Sequence, residues 1–136
     1  ILSTLLLKRL YDTNFRTILS KQSIIVPIPI HKSHKNMRGF NQSALIASQL
    51  SKKLDFKFDE NILVRKKDSS HQSQATLEER LKLKDVFELN KEVKNKDIIL
   101  IDDVISTGTT INKAAQKLKG NSINAIALFR GRPRYQ

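Results

Sequence analysis

Two adjacent carboxylates, Asp102 and Asp103, close an apolar run and are followed at once by a small hydroxyl-rich turn, in the stretch IILIDDVISTGTT (98–110). Two neighbouring carboxylates repel each other, so they stand together only where water, a cation or hydroxyl donors surround them. Ser106, Thr107, Gly108, Thr109 and Thr110 then offer backbone N–H groups and four hydroxyls where a helix should begin. A helix N-terminus carries partial positive charge and free N–H groups, which suit an anionic oxygen cluster. Gly108 lets that backbone approach closely with no side chain in the way. Acceptors for hydroxyl groups and a cradle for an anion therefore lie a few residues apart. A ribose 5-phosphate has that layout, with a cis-diol at one end and a phosphomonoester at the other. An acidic strand end followed by an ordinary Ser/Thr helix cap would explain either half alone. It does not explain a doubled Asp together with five consecutive cradle-type residues.

The elements that must position these groups follow from hydrophobic spacing. Residues 98–101 are all Ile or Leu, as expected of a strand buried on both faces, opened by Asp97 and leaving the acids at its carboxyl end. Ile111, Ala114, Ala115 and Leu118 recur at helical intervals, and Gly120 should end that helix. SIIVPIPI (23–30) reads as a strand that ends or turns at Pro27 to Pro29, since neither proline has an N–H to donate. Leu45, Ile46, Gln49, Leu50 and Leu54 predict a helix over 41–54. NILV (61–64) and NAIALF (124–129) read as further strands, and residues 1–19 as an amphipathic helix. RKKDSSHQSQAT (65–76) is polar throughout and predicts a surface loop; 77–87 should be helical early, with Phe87 as a packing anchor. Short β-branched strands alternating with helices predict an α/β fold, a parallel sheet flanked by helices, with ligands bound beyond the carboxyl ends of the strands. The 136 residues suit one domain spanning 1–136.

Composition narrows the chemistry. The chain has no cysteine, which excludes disulfides and thiolate chemistry within it and agrees with a cytoplasmic protein. No apolar run approaches the roughly 20 residues of a membrane helix. A net charge of +12 and a pI near 10.1 favour anionic partners, phosphorylated metabolites or nucleic acid among them. Neither G-x-x-x-x-G-K-[ST] nor G-x-G-x-x-G occurs, so the nucleotide loops they mark are not present.

IILIDDVISTGTT resembles, over its full length, the phosphoribosyl pyrophosphate (PRPP) signature of type I phosphoribosyltransferases. That resemblance implies that Asp102 and Asp103 are the catalytic residues holding the ribose hydroxyls, and that Ser106, Thr107, Gly108, Thr109 and Thr110 hold the 5-phosphate. VPIPIHKSHKNMRGFNQSALIASQL (26–50) is similar to the ComF competence-protein branch, through the run Arg38-Gly39-Phe40-Asn41-Gln42. Gln74, Leu77, Arg80 and Phe87 match the later part of that branch with imperfect spacing. The branch carries a cysteine zinc-binding segment ahead of this domain; it is absent from these cysteine-free residues.

PRPP also bears a pyrophosphate, and the resemblance implies two loops to grip it. After VPIP, Pro29, Ile30 and His31 would offer backbone groups, with charge from Arg38 in preference to Lys32 and Lys35, which read as solvated. In LVRKKDSSHQ (63–72), similar to an orotate-type stretch, Arg65, Lys66 and Lys67 are the candidates, and His71 a weaker one. Preorganised cations and Mg²⁺ would stabilise the departing pyrophosphate, while a closing loop would keep water from the reacting carbon. Phe40 is expected in the core rather than as a stacking face. Arg130, Arg132 and Arg134 read as surface charge or a nucleic-acid contact. The expected activity is Mg²⁺-dependent transfer of phosphoribose from PRPP to an acceptor. The alternative is a non-catalytic adaptor that binds PRPP or single-stranded DNA in natural transformation, alongside a helicase and recombination mediators.

Overall fold

The structure is a computed structural model that describes residues 22–30, 40–66, 86–105 and 107–131. In chain order its elements are β1 (Ile24–Pro27), α1 (Gln42–Leu54), β2 (Lys57–Phe58), β3 (Leu63–Arg65), β4 (Phe87–Leu89), β5 (Asp97–Ile105), α2 (Thr109–Lys117) and β6 (Ser122–Arg130). The expected helix over 1–19 and the segment 67–85 lie outside the described residues.

Four strands form a parallel sheet in the order β2-β1-β5-β6. Its centre is β5, whose apolar run divides by strand alternation. Ile98 and Leu100 face one side, with Val26, Ile28, Ile111, Ala114 and Leu118. Ile99 and Ile101 face the other, with Ile25, Ile46, Ala47, Leu50 and Ile126. Helix α2 thus covers one face and α1 the opposite one, so the parallel sheet flanked by helices is observed. No helix among the described residues is long and apolar enough to cross a membrane.

Several local expectations change. Strand β5 runs on to Ile105, paired with β6 from Asp97↔Ser122 through Ile105↔Arg130. Backbone pairing takes no account of side-chain charge, so the acids sit inside the ladder rather than beyond it. A second, antiparallel ribbon joins β3 to β4, and Phe87 lies wholly buried beneath it against the α2 face. Three-residue strands hold too few alternations to show in a sequence pattern. Phe87 is the anchor expected, but in a strand. Phe40 is 46% exposed and is not a core residue; Leu45 is 49% exposed. Adjacent helical residues point about 100° apart. Ile46 therefore takes the inward position, in a stripe with Ser43, Ala47, Leu50 and Ser51.

Candidate functional site

Strand β5 delivers Asp102 to the carboxyl edge of the sheet, and α2 starts directly after the turn that follows. Between them lies an open cleft lined by Asp102, Val104, Ile105 and residues 107–111. The structure thus brings together Asp102, Thr107, Gly108, Thr109 and Thr110. Asp103, half-buried, follows Asp102 in the strand and is not part of the cleft lining.

Asp102 is only 8% exposed. Burial pushes its carboxyl up to about 6; the hydrogen bond with Asp103 and repulsion from its charge add to the rise, while backbone N–H groups of Asp103 and Val104 oppose it. Asp103 Oδ1 in turn accepts the Val104 N–H at 2.9 Å. Among the described residues the ion pairs Lys91–Asp59 and Lys94–Glu92 leave both acids aside. Asp102 therefore faces the cleft, and no described cation forms an ion pair with either acid.

The opposite wall is the N-terminus of α2. Its N-cap, Gly108, adopts a left-handed conformation (φ 79°), supplies no side-chain cap, and no acid stands in the first turn. The first helical bond runs from Asn112 N–H to Gly108 C=O at 2.9 Å, leaving earlier N–H groups facing outward. Thr107 and Thr109 hydroxyls are 2.8 Å apart, and the Thr109 N–H reaches Thr107 Oγ1 at a long 3.4 Å. A helix end with positive partial charge, two linked hydroxyls and no internal anion is a ready receptor for an anionic oxygen group.

The remaining candidates sit elsewhere. Pro29 and Ile30 are half-buried and follow Ile28, whose N–H donates to Ile101 C=O at 2.8 Å, one residue before Asp102. Their root therefore adjoins the acids although they do not line the cleft. Arg65 and Lys66 belong to the β3–β4 ribbon and also lie off the cleft lining. The Arg65 guanidinium stacks over the Phe87 ring at 5.7 Å, and the Lys66 N–H donates to Val86 C=O at 2.9 Å. Ser106, His31, Arg38 and Lys67 are outside the described residues. Sequence reasoning missed Val104, 46% exposed on the cleft rim beside its register partner Phe129, 56% exposed. It also missed the work of Asn41. Its signal was visible: an Asn placed one residue before a helical stripe.

Comparison with known proteins agrees with this geometry. The model of the phosphoribosyl transferase domain matches residues 41–130. The DNA utilization protein YhgH of Escherichia coli K12 is 32% identical over 130 residues, which cover 94% of this chain and 57% of that protein. The competence protein ComFC of Bacillus subtilis is 34% identical over 115 residues, 81% of this chain and 45% of that protein. The chain thus spans about half the length of these relatives. A hypoxanthine phosphoribosyltransferase from Staphylococcus aureus superposes with a TM-score of 0.56 at 19% identity, over 95% of this chain and 62% of that one, and so shares the fold. Cleft, fold and sequence converge: the chain belongs to the phosphoribosyl transferase domain family, and within it to the ComF-like branch of competence proteins.

Proposed function

We propose that this domain binds PRPP with Mg²⁺ and transfers its phosphoribosyl group to an acceptor, releasing pyrophosphate. The observation that carries the reading is the pairing, across one cleft, of the buried Asp102 carboxyl, with Asp103 next to it in the chain, and the start of α2, whose N-cap Gly108 has no side chain. Asp102 and Asp103 accept hydrogen bonds from the two ribose hydroxyls, which offsets the cost of burying them. Thr107, Thr109, Thr110 and the first-turn N–H groups of α2 take the 5-phosphate, joined by Ser106. The sugar is thereby fixed at both ends, with its C1 free to face the acceptor. As the bond from C1 to pyrophosphate breaks and the acceptor lone pair forms the new one, positive charge grows on the ring. The nearby carboxylates favour that charge.

Among the described residues no three His, Cys, Asp or Glu side chains gather as a metal site. The Asp102–Asp103 pair therefore fits Mg²⁺ only as a companion of PRPP, whose oxygens complete its shell. Bound that way, the ion would offset charge on the departing pyrophosphate. Pro29, Ile30, His31, Arg38, Arg65, Lys66 and Lys67 are assigned to the pyrophosphate end.

Isothermal titration with PRPP and Mg²⁺ tests the reading. Asp102→Ala with Asp103→Ala should weaken binding about 100-fold or more, the scale of losing two charge-assisted hydrogen bonds. Pyrophosphate release with candidate acceptors should fall with it. A wild-type protein that takes up no PRPP, or a double variant that binds it equally well, would end the proposal.

The net charge of +12 favours a second reading, an adaptor that carries single-stranded DNA without turnover. It requires oligonucleotide binding that weakens steeply as salt rises. Salt-independent or absent binding rejects it.

A further inference from the structure

We infer that Asn41 is a positioning residue for the pyrophosphate end of the site: its side chain holds the root of the β1–α1 loop beside the strand that carries Asp102. The inference rests on the proposed PRPP reading and deepens it.

Asn41 makes two side-chain bonds of different kinds. Its Oδ1 accepts the Ser43 N–H at 3.0 Å, capping α1. Its Nδ2 donates to the Ile28 carbonyl at 3.1 Å, thirteen residues back in the chain. A cap alone needs only an acceptor, which Ser, Thr or Asp would supply as well. The amide is required by the second bond, since it offers a donor and an acceptor on one short side chain.

The position of Ile28 gives that second bond its consequence. Ile28 is 3% exposed and directly follows Pro27, the last residue of β1. Its N–H donates to Ile101 C=O at 2.8 Å, next to Asp102. Its carbonyl belongs to the peptide that leads into Pro29, which has no N–H of its own to anchor it. With one backbone group on β5 and the other on Asn41, the plane in which the chain leaves the sheet is set. Pro29 and Ile30, assigned to the pyrophosphate, start from that fixed plane. Loss of the Asn41 donor frees the Ile28–Pro29 peptide to turn. The two Asn41 side-chain hydrogen bonds go to Ser43 and Ile28 and to neither acid nor the α2 terminus, so those groups keep their own hydrogen bonds.

Two variants and two ligands separate this from a structural role. Asn41→Asp keeps the cap on Ser43 but sets an acceptor against the Ile28 carbonyl. Asn41→Ser also caps and is too short to reach Ile28. Titration calorimetry with Mg²⁺ and either PRPP or ribose 5-phosphate is the measurement, with thermal midpoints alongside. Ribose 5-phosphate engages the acids and the α2 terminus but has no pyrophosphate. Affinity for PRPP should fall about tenfold in both variants while that for ribose 5-phosphate stays within about twofold, the scale of one hydrogen bond lost at one end of a ligand. Should Asn41→Asp fail to fold, Asn41→Ser carries the same comparison. Equal weakening for both ligands, or undiminished PRPP binding, overturns the assignment alone. A wild-type protein that binds neither ligand overturns the proposed function, and this assignment with it.

Discussion

The corners β1–α1 and β5–α2 are built from the same parts and treat their helix starts in opposite ways. Each takes the chain from a central parallel strand to the start of a helix. At α1 the start is closed from within: Asn41 caps it, and the same side chain ties the incoming strand. At α2 the start is open: Gly108 provides no cap and no acid stands in the first turn. The neighbouring Asp102 is buried, and no cation among the described residues pairs with it. At the first corner one side chain serves both the helix start and the preceding strand. At the second, Asp102 and the N-terminus of α2 line an open cleft, which the proposed sugar phosphate would fill. Local frustration of that kind is expected where a protein binds, and it lowers the stability of the free chain.

Three substitutions in the open corner break or sharpen the contrast. The largest effect on stability should come from Gly108→Ala. A Cβ there would meet nothing nearer than Ile105 at 4.0 Å, so space is not the obstacle. The obstacle is the left-handed φ of 79°, and forcing it on alanine should cost about 1–2 kcal/mol in denaturant unfolding. An unchanged midpoint would mean that the turn relaxes freely and does not hold the cradle.

Asp102→Asn should raise stability at neutral pH while weakening ligand binding. The sign follows from protonation: with its pKa raised from 3.8 to about 6, the folded protein holds the Asp102 proton more tightly than the unfolded chain does. Stability therefore falls as pH rises through that window. The penalty is absent below the lower value and complete above the upper one. The variant's advantage in thermal midpoint should be present at pH 7 and fade toward pH 4. A constant advantage across that range would show that burial of the charge is not its cause.

The smallest effect belongs to Thr110→Glu, which places an acid in the first turn of α2. It should stabilise the free protein by about 0.3–1 kcal/mol through the helix dipole. The same charge should repel the 5-phosphate, so ribose 5-phosphate binding should drop as stability gains. Gain without loss of binding would place the anion elsewhere.

Legibility in the sequence divides along similar lines. The apolar half of strand β5, helix α2 and the nearness of the acids to the hydroxyls were readable because each is a contiguous pattern that needs no distant partner. The α1 stripe was half readable: Ile46 and Leu50 were placed, but Leu45 was put inside with them, because apolarity alone does not say which of two neighbours faces the sheet. Phe40 misled for the same reason, as a large aromatic just before a helix. The β3–β4 ribbon was hidden because its strands are three residues each and their pairing joins segments more than twenty residues apart.

By itself the sequence determined that two carboxyls follow an apolar run and stand a few residues before the start of a helix, since adjacent residues stay adjacent however the chain folds. Only the tertiary structure decided what those groups experience. Packing buries Asp102 and raises its pKa, and leaves α2 uncapped over a cleft. Only the meeting of β1 with β5 brings Ile28 within reach of Asn41 while anchoring it next to Asp102. Burial, electrostatic shift and long-range hydrogen bonds depend on what surrounds a residue in space, and one-dimensional spacing does not carry that information.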